Sequence, residues 1–187
     1  MITLYLDTSL EYLHIGLKQD GLWIEKVSQK AFKKQSELTM PMIEELFKKH
    51  NIKPSQLQEI VLTSGPGSYT GVRIAMTIAK VLGAIAGVKV FTLNTLQAMA
   101  GLGNDTLAQM DARAKRSYVA IYDKGKEILA PTIMLNEEIT HKNIVTQEDI
   151  DLLENMSLLK DYWQEVTNIH TLAPIYLKET TQYGTNN

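Results

Sequence analysis

An apolar strand-like run, Ile60-Val61-Leu62, meets a long apolar helical run, Ile74 to Ala86, through Ser64-Gly65-Pro66-Gly67-Ser68-Tyr69-Thr70-Gly71-Val72-Arg73. Glycine reaches backbone angles barred to other residues and proline fixes its own φ, so this interval dictates a tight turn. Strand, glycine turn and helix start in that order belong to α/β architectures. The unpaired N–H groups of the first helical turn point into the bend, where a phosphate can sit. The same geometry also serves simply to launch a helix in a fixed direction. The first reading makes the chain an enzyme, the second a structural partner.

The launched helix carries information of its own. On a helical wheel, residues 70–86 divide into three faces. Arg73, Thr77 and Lys80 make a narrow polar stripe, Ile74, Ile78, Val81 and Ile85 a bulky aliphatic face, and Gly71, Ala75, Ala79, Leu82 and Ala86 a face of mostly small residues. A helix apolar on two sides must be covered twice. A sheet covers one side. The second cover is either a neighbouring helix of the same lobe or another chain, and small side chains permit close approach by either. The neighbouring helix is expected from Ser36, as N-cap, to about His50, with Leu38, Met42, Ile43, Leu46 and Phe47 on its apolar side. Pro41 fits only a first turn or a kink, which draws the expected start towards Thr39. Met40, Met42 and Met76 suit an adaptable contact surface.

The remaining pattern places these helices in an α/β lobe with a mixed sheet. Ile2 to Leu6, Tyr12 to Leu17 and Leu22 to Val27 alternate as strands, and Asp20-Gly21 is a hairpin turn. Strands over 59–63 and 88–93 follow the two helices, and Asn94 or Thr95 caps a further helix to about Gly101. That order of elements matches the lobes of the actin, sugar-kinase and Hsp70 superfamily, and sets a first lobe over residues 1–103. Residues 104–179 form a smaller, shortened second α/β lobe with strands near 107–110, 116–122 and 127–135. The polar residues 180–187 are expected to be a disordered tail.

Composition excludes several functions. With 187 residues and no cysteine, the chain can bury a core but holds no disulfide, zinc-thiolate site or thiol nucleophile. A net charge of −2 gives no sign of non-specific nucleic-acid binding by the whole surface. The start lacks a signal-peptide pattern, and the longest apolar region is interrupted by Thr77, Lys80, Gly83, Gly87 and Lys89, so a cytoplasmic chain without a membrane span is expected.

Gly65-Pro66-Gly67-Ser68-Tyr69-Thr70-Gly71-Val72-Arg73-Ile74, with Ala79-Lys80 and Gly83 beyond it, resembles the signature of the TsaB (YeaZ) family of the same superfamily. The resemblance extends to Leu6-Asp7-Thr8-Ser9, Gln35-Ser36-Glu37 with Pro41, Asn94-Thr95-Leu96, Met110-Asp111-Ala112-Arg113 and Ala173-Pro174-Ile175-Tyr176-Leu177-Lys178. It implies a non-catalytic partner of TsaD, the subunit that transfers a threonylcarbamoyl group to N6 of adenosine 37 in tRNAs reading ANN codons. It also implies contact with TsaD through the first two helices, a third ATPase subunit (TsaE), and tRNA met only through the complex. ATP and metal are then expected on the partner subunits and none in the isolated chain. Leu38, Met42, Leu46, Ile74, Ile78, Val81, Ile85 and Arg73 become the candidate partner-facing residues. Gly65, Gly67, Ser68, Thr70 and Gly71 stay as candidate anion or nucleotide contacts. Two departures stand out: Gln35 replaces a frequent family histidine, and His14, His50, His141 and His170 are too scattered for TsaD's His-x-x-x-His metal helix. No catalytic or metal-ligating set is expected. Asp7, where catalytic superfamily members face metal and phosphate, is expected to cap a turn. The alternatives are an independent ATP-dependent enzyme of the superfamily and a homodimer built on the same helices.

Overall fold

The computed structural model describes residues 1–31 and 33–177, apart from the side chain of Ile85. The expected tail 180–187 therefore lies outside the described residues. Strands β1 (Ile2–Asp7), β2 (Tyr12–Gln19) and β3 (Leu22–Lys30) form the expected antiparallel meander, with Leu4 opposite Leu17 and Leu6 opposite Ile15. Helix α1 (Gln35–Lys49), β4 (Leu57–Thr63), helix α2 (Tyr69–Ala86), β5 (Lys89–Leu93) and helix α3 (Thr95–Ala100) follow. β4 adds parallel to β1 and β5 parallel to β4, which makes the sheet mixed, as expected.

The second sheet is built from β6 (Thr106–Arg113), β7 (Arg116–Asp123), β8 (Lys126–Leu135) and β9 (Ile144–Val145), in the order β8-β7-β6-β9. Helix α4 (Leu152–Leu158) comes next. The short strand β10 (Gln164–Glu165) then pairs with β5, so the first sheet runs β10-β5-β4-β1-β2-β3.

Alternation along the central strands divides the interior in two. Leu4, Leu6, Ile60 and Leu62 face α1 and α2, where Ile43, Phe47, Ala75 and Ala79 complete one core. Tyr5 and Val61 face the other way, against Leu96, Met99, Tyr122, Leu153 and Met156 from α3, β7 and α4. Strands buried on both faces are why β1 and β4 read as nearly continuous apolar runs. Each fully buried leucine in these layers contributes on the order of 2 kcal/mol by leaving water.

Three expectations are corrected. The chain does not split cleanly at 103/104: β10 joins the first sheet, and Val166, Ile169 and Leu172 pack into the first core. Helix α1 starts at Gln35, not near Thr39, with Lys34 at its N-cap position and Ser36 inside the first turn. Pro41 is tolerated within it because Pro41 and Glu37 are both exposed, so the one carbonyl that loses its helical partner can turn to water. β3 does not end at Val27 but runs on to Lys30, opposite Tyr12.

Candidate functional site: the glycine turn and the helix pair

β4 ends in Thr63, and residues 64–68 carry the chain into α2. Ser68 is the N-cap, its hydroxyl accepting from the Gly71 N–H at 3.2 Å. The Ser68 N–H donates to the Ser9 carbonyl at 2.8 Å. The Gly65 N–H donates to Thr95 Oγ1 at 3.1 Å, and the Thr95 N–H returns to the Gly65 carbonyl at 2.9 Å. Three N–H groups that a phosphate would use are thus taken within the chain.

Close packing explains the glycines. A Cβ on Gly71 would sit 2.0 Å from the Thr8 carbonyl oxygen, so the start of α2 lies directly on the end of β1. Thr8 ties the two together: its hydroxyl donates to the Gly71 carbonyl at 2.5 Å and accepts from the Ala75 N–H at 3.2 Å. Gly65 has φ +99°, in the region that favours glycine, and a Cβ there would meet the Ile175 carbonyl oxygen at 2.7 Å. The Ile175 N–H donates to the Ser64 carbonyl at 2.7 Å, which fixes the 172–177 segment across the turn.

Asp7 is fully buried beneath the turn. Its Oδ1 accepts from the Ser9 N–H at 3.2 Å, from the Ser9 hydroxyl at 2.5 Å and from the Thr63 hydroxyl, so it caps the bend after β1 as expected. Its cross-strand neighbour His14 is buried too, with Nδ1 at 2.8 Å from Ser28 Oγ. Desolvation pushes the His14 imidazole below its ordinary range, against the pull of Asp7 and Asp151. Among the described residues no group of three or more His, Cys, Asp or Glu is placed to hold a metal ion.

Farther along the helix pair, α1 and α2 leave a groove of about 530 Å³ lined by Met40, Ile43, Phe47, Ile78, Val81 and Leu82, with Glu44 and Lys48 at its rim. Val81 is 51% exposed and Met40 45%, an unusual exposure for such side chains on adjacent helices.

Known proteins place this architecture. The family described as TsaD: tRNA N6-adenosine threonylcarbamoyltransferase matches residues 27–162. A Bacillus subtilis (strain 168) protein named tRNA threonylcarbamoyladenosine biosynthesis protein TsaB is 28% identical over 165 residues, covering 86% of this chain and 67% of its own. YeaZ from Pseudomonas aeruginosa superposes with a TM-score of 0.73 at 21% identity, over 94% of this chain and 99% of that one. A further solved structure, an uncharacterized protein with similarity to peptidase YEAZ from Pseudomonas aeruginosa, gives 0.77 at 21% identity, over 95% and 99%. The chain belongs to the TsaB (YeaZ) family.

Within this TsaB-family fold the candidate residues separate. Ile78 and Val81 line the groove. Ile74 is half-buried, and Leu38 and Met42 pack half-buried against the first core. Leu46 is 4% exposed and packs within the lobe's own core, so the free chain does not present it at the surface as the partner-facing reading expected. Ile85 lies outside the described side chains. Arg73 is exposed, its Nε donating to Tyr176 Oη at 3.0 Å. Gly67 lies against Ser9, and Thr70 is exposed in the first turn of α2. Met40, Ile52, Pro54 and Leu82 complete the groove although the sequence reading left them out of the partner-facing set. Met40 carried a signal, as one of three methionines near the helix pair. Ile52 and Pro54 carried none, because they follow α1 and enter only through the path of the loop. No helix among the described residues is long and apolar enough to cross a membrane.

Proposed function

We propose that the chain is a non-catalytic, activating subunit in tRNA threonylcarbamoyladenosine biosynthesis, docking a TsaD-like transferase through the α1–α2 groove. The observation that carries this is the groove: apolar side chains at its floor, exposed Val81 and Met40 at its mouth, and charged Glu44 and Lys48 at its rim. An apolar centre with a polar rim is the anatomy of a protein interface. The family membership and the name of the Bacillus subtilis relative support the pathway. A partner role also suits the glycine turn, whose N–H donors at Gly65, Ser68 and Gly71 bond within the chain. On this reading the turn sets the direction of α2, and α2 with α1 presents the groove. ATP and metal then belong to the partner subunits, a TsaE-like ATPase joins the assembly, and tRNA is met within it.

Removing the chain from its host and digesting the tRNA to nucleosides tests the reading. Threonylcarbamoyladenosine should fall sharply and return when the gene is restored. A purified chain that modified tRNA without a TsaD-like partner would overturn the non-catalytic assignment.

A further inference from the structure

Tyr69, at the first position of α2, and Tyr176, on the returning C-terminal segment, stack with ring centroids 5.4 Å apart and planes 25° from parallel. The Arg73 guanidinium lies 3.9 Å from the Tyr69 ring centroid and donates through Nε to Tyr176 Oη. After all these contacts Tyr69 is still 58% exposed and Tyr176 48%. The two tyrosines hold the guanidinium charge, and among the described residues no carboxylate forms an ion pair with it. A packed aromatic pair at the surface, with a cation fixed beside it, matches two features of an unpaired nucleotide: a base with a π-face and a phosphate with negative charge. A protein partner of the α1–α2 type would instead meet an apolar surface, whereas here the exposed side chains of Tyr69 and Tyr176 carry a cation beside them, with the exposed Ile175 next to Tyr176 in the chain.

We propose that Tyr69, Tyr176 and Arg73 form a platform on which an unpaired RNA base stacks, with Arg73 set to meet its phosphate. The proposal rests on the reading above that the chain works in tRNA modification, and it adds a direct contact where that reading expected only an indirect one. The pinned arginine and the stacked rings are already ordered, so little side-chain entropy is lost on binding.

The test uses the full chain with fluorescently labelled single-stranded oligoadenylate, beside a fully paired RNA duplex of equal length. The single strand should bind more tightly than the duplex, and more weakly as salt rises. Tyr69→Leu and Tyr176→Leu should each weaken single-strand binding by about tenfold. Tyr176→Phe keeps the ring and should retain most of the affinity, which separates stacking from loss of the fold. Arg73→Gln should weaken binding and flatten its salt dependence. No binding by the unaltered chain, or leucine variants that bind as well as it does, would overturn the platform. So would variants that lower only the melting temperature, since the stack would then merely anchor the C-terminal segment. Loss of a TsaD-like partner with RNA binding untouched would convert the cluster to a protein contact and also overturn it. Co-purification with that partner is read separately, so the docking proposal can stand or fall on its own.

Discussion

Gly71→Ala is the sharpest probe of what the glycine turn is for. The new methyl would stand 2.0 Å from the Thr8 carbonyl oxygen, a backbone atom that cannot rotate aside. Relief requires α2 to lift from the end of β1. That movement strains the hydrogen bonds through Thr8 Oγ1, which link the Gly71 carbonyl at 2.5 Å and the Ala75 N–H at 3.2 Å. Overpacking of this kind costs about 1–3 kcal/mol, and a weakened buried hydrogen bond about 1 kcal/mol more. A total near 3 kcal/mol in a chain of this size lowers Tm by roughly 6–12 °C. Thermal unfolding of the ligand-free protein, followed by circular dichroism, measures it. Gly87→Ala serves as a control, since a Cβ there meets nothing within 4 Å and only its positive φ, +64°, carries a cost. A Gly71→Ala protein melting within about 2 °C of the parent would refute the packing argument, since that shift corresponds to about 0.5–1 kcal/mol, well short of the roughly 3 kcal/mol expected.

Other expectations follow from the same geometry. Leu46→Ala should lose about 2–5 kcal/mol in denaturant unfolding because Leu46 is 4% exposed, whereas Val81→Ala should change stability by less than about 0.5 kcal/mol. His14 is held neutral, and its folded pKa lies below the ordinary 6.5 mainly through desolvation. The unfolded chain therefore takes up that proton first, and stability should fall as pH drops below about 6.5 towards the lowered folded value. His14→Gln should flatten the stability–pH curve in that window, and an unchanged slope would remove His14 as its cause. Isothermal titration of the isolated chain with ATP and magnesium should show no tight binding, because the turn's N–H donors at Gly65, Ser68 and Gly71 are engaged; a saturable submicromolar isotherm would revive the phosphate reading.

Much of the fold was legible because its signals are local. Asp20-Gly21 and the alternation on either side produced the meander, and the glycine turn located the junction of β4 and α2. Non-local features were not legible. Nothing in Gln164-Glu165 announces a strand, because β10 exists only by pairing with Phe91 and Thr92 of β5. The same holds for Ile175, whose N–H reaches the Ser64 carbonyl from far along the chain. Helical periodicity placed Leu38, Met42 and Leu46 on one apolar face but could not say what covers it. Leu46 turned inward to the sheet, whereas Met40, at the margin of that face, was left at the groove mouth. Proline statistics misplaced the start of α1, since they do not register that the carbonyl Pro41 deprives, that of Glu37, lies on the solvent side.

The docking role of the α1–α2 groove is tested most directly by measuring affinity for a TsaD-type transferase from the same host, with Val81→Glu beside the unaltered chain. Val81 is 51% exposed in the free protein, so the glutamate should leave the fold and Tm unchanged. In a complex it would bury an unpaired carboxylate in an apolar contact, at a cost of roughly 3 kcal/mol or more, which is over a hundredfold in Kd. Tight binding by the unaltered chain and that loss in Val81→Glu are expected. Equal binding by both, or none by either, would contradict the docking role.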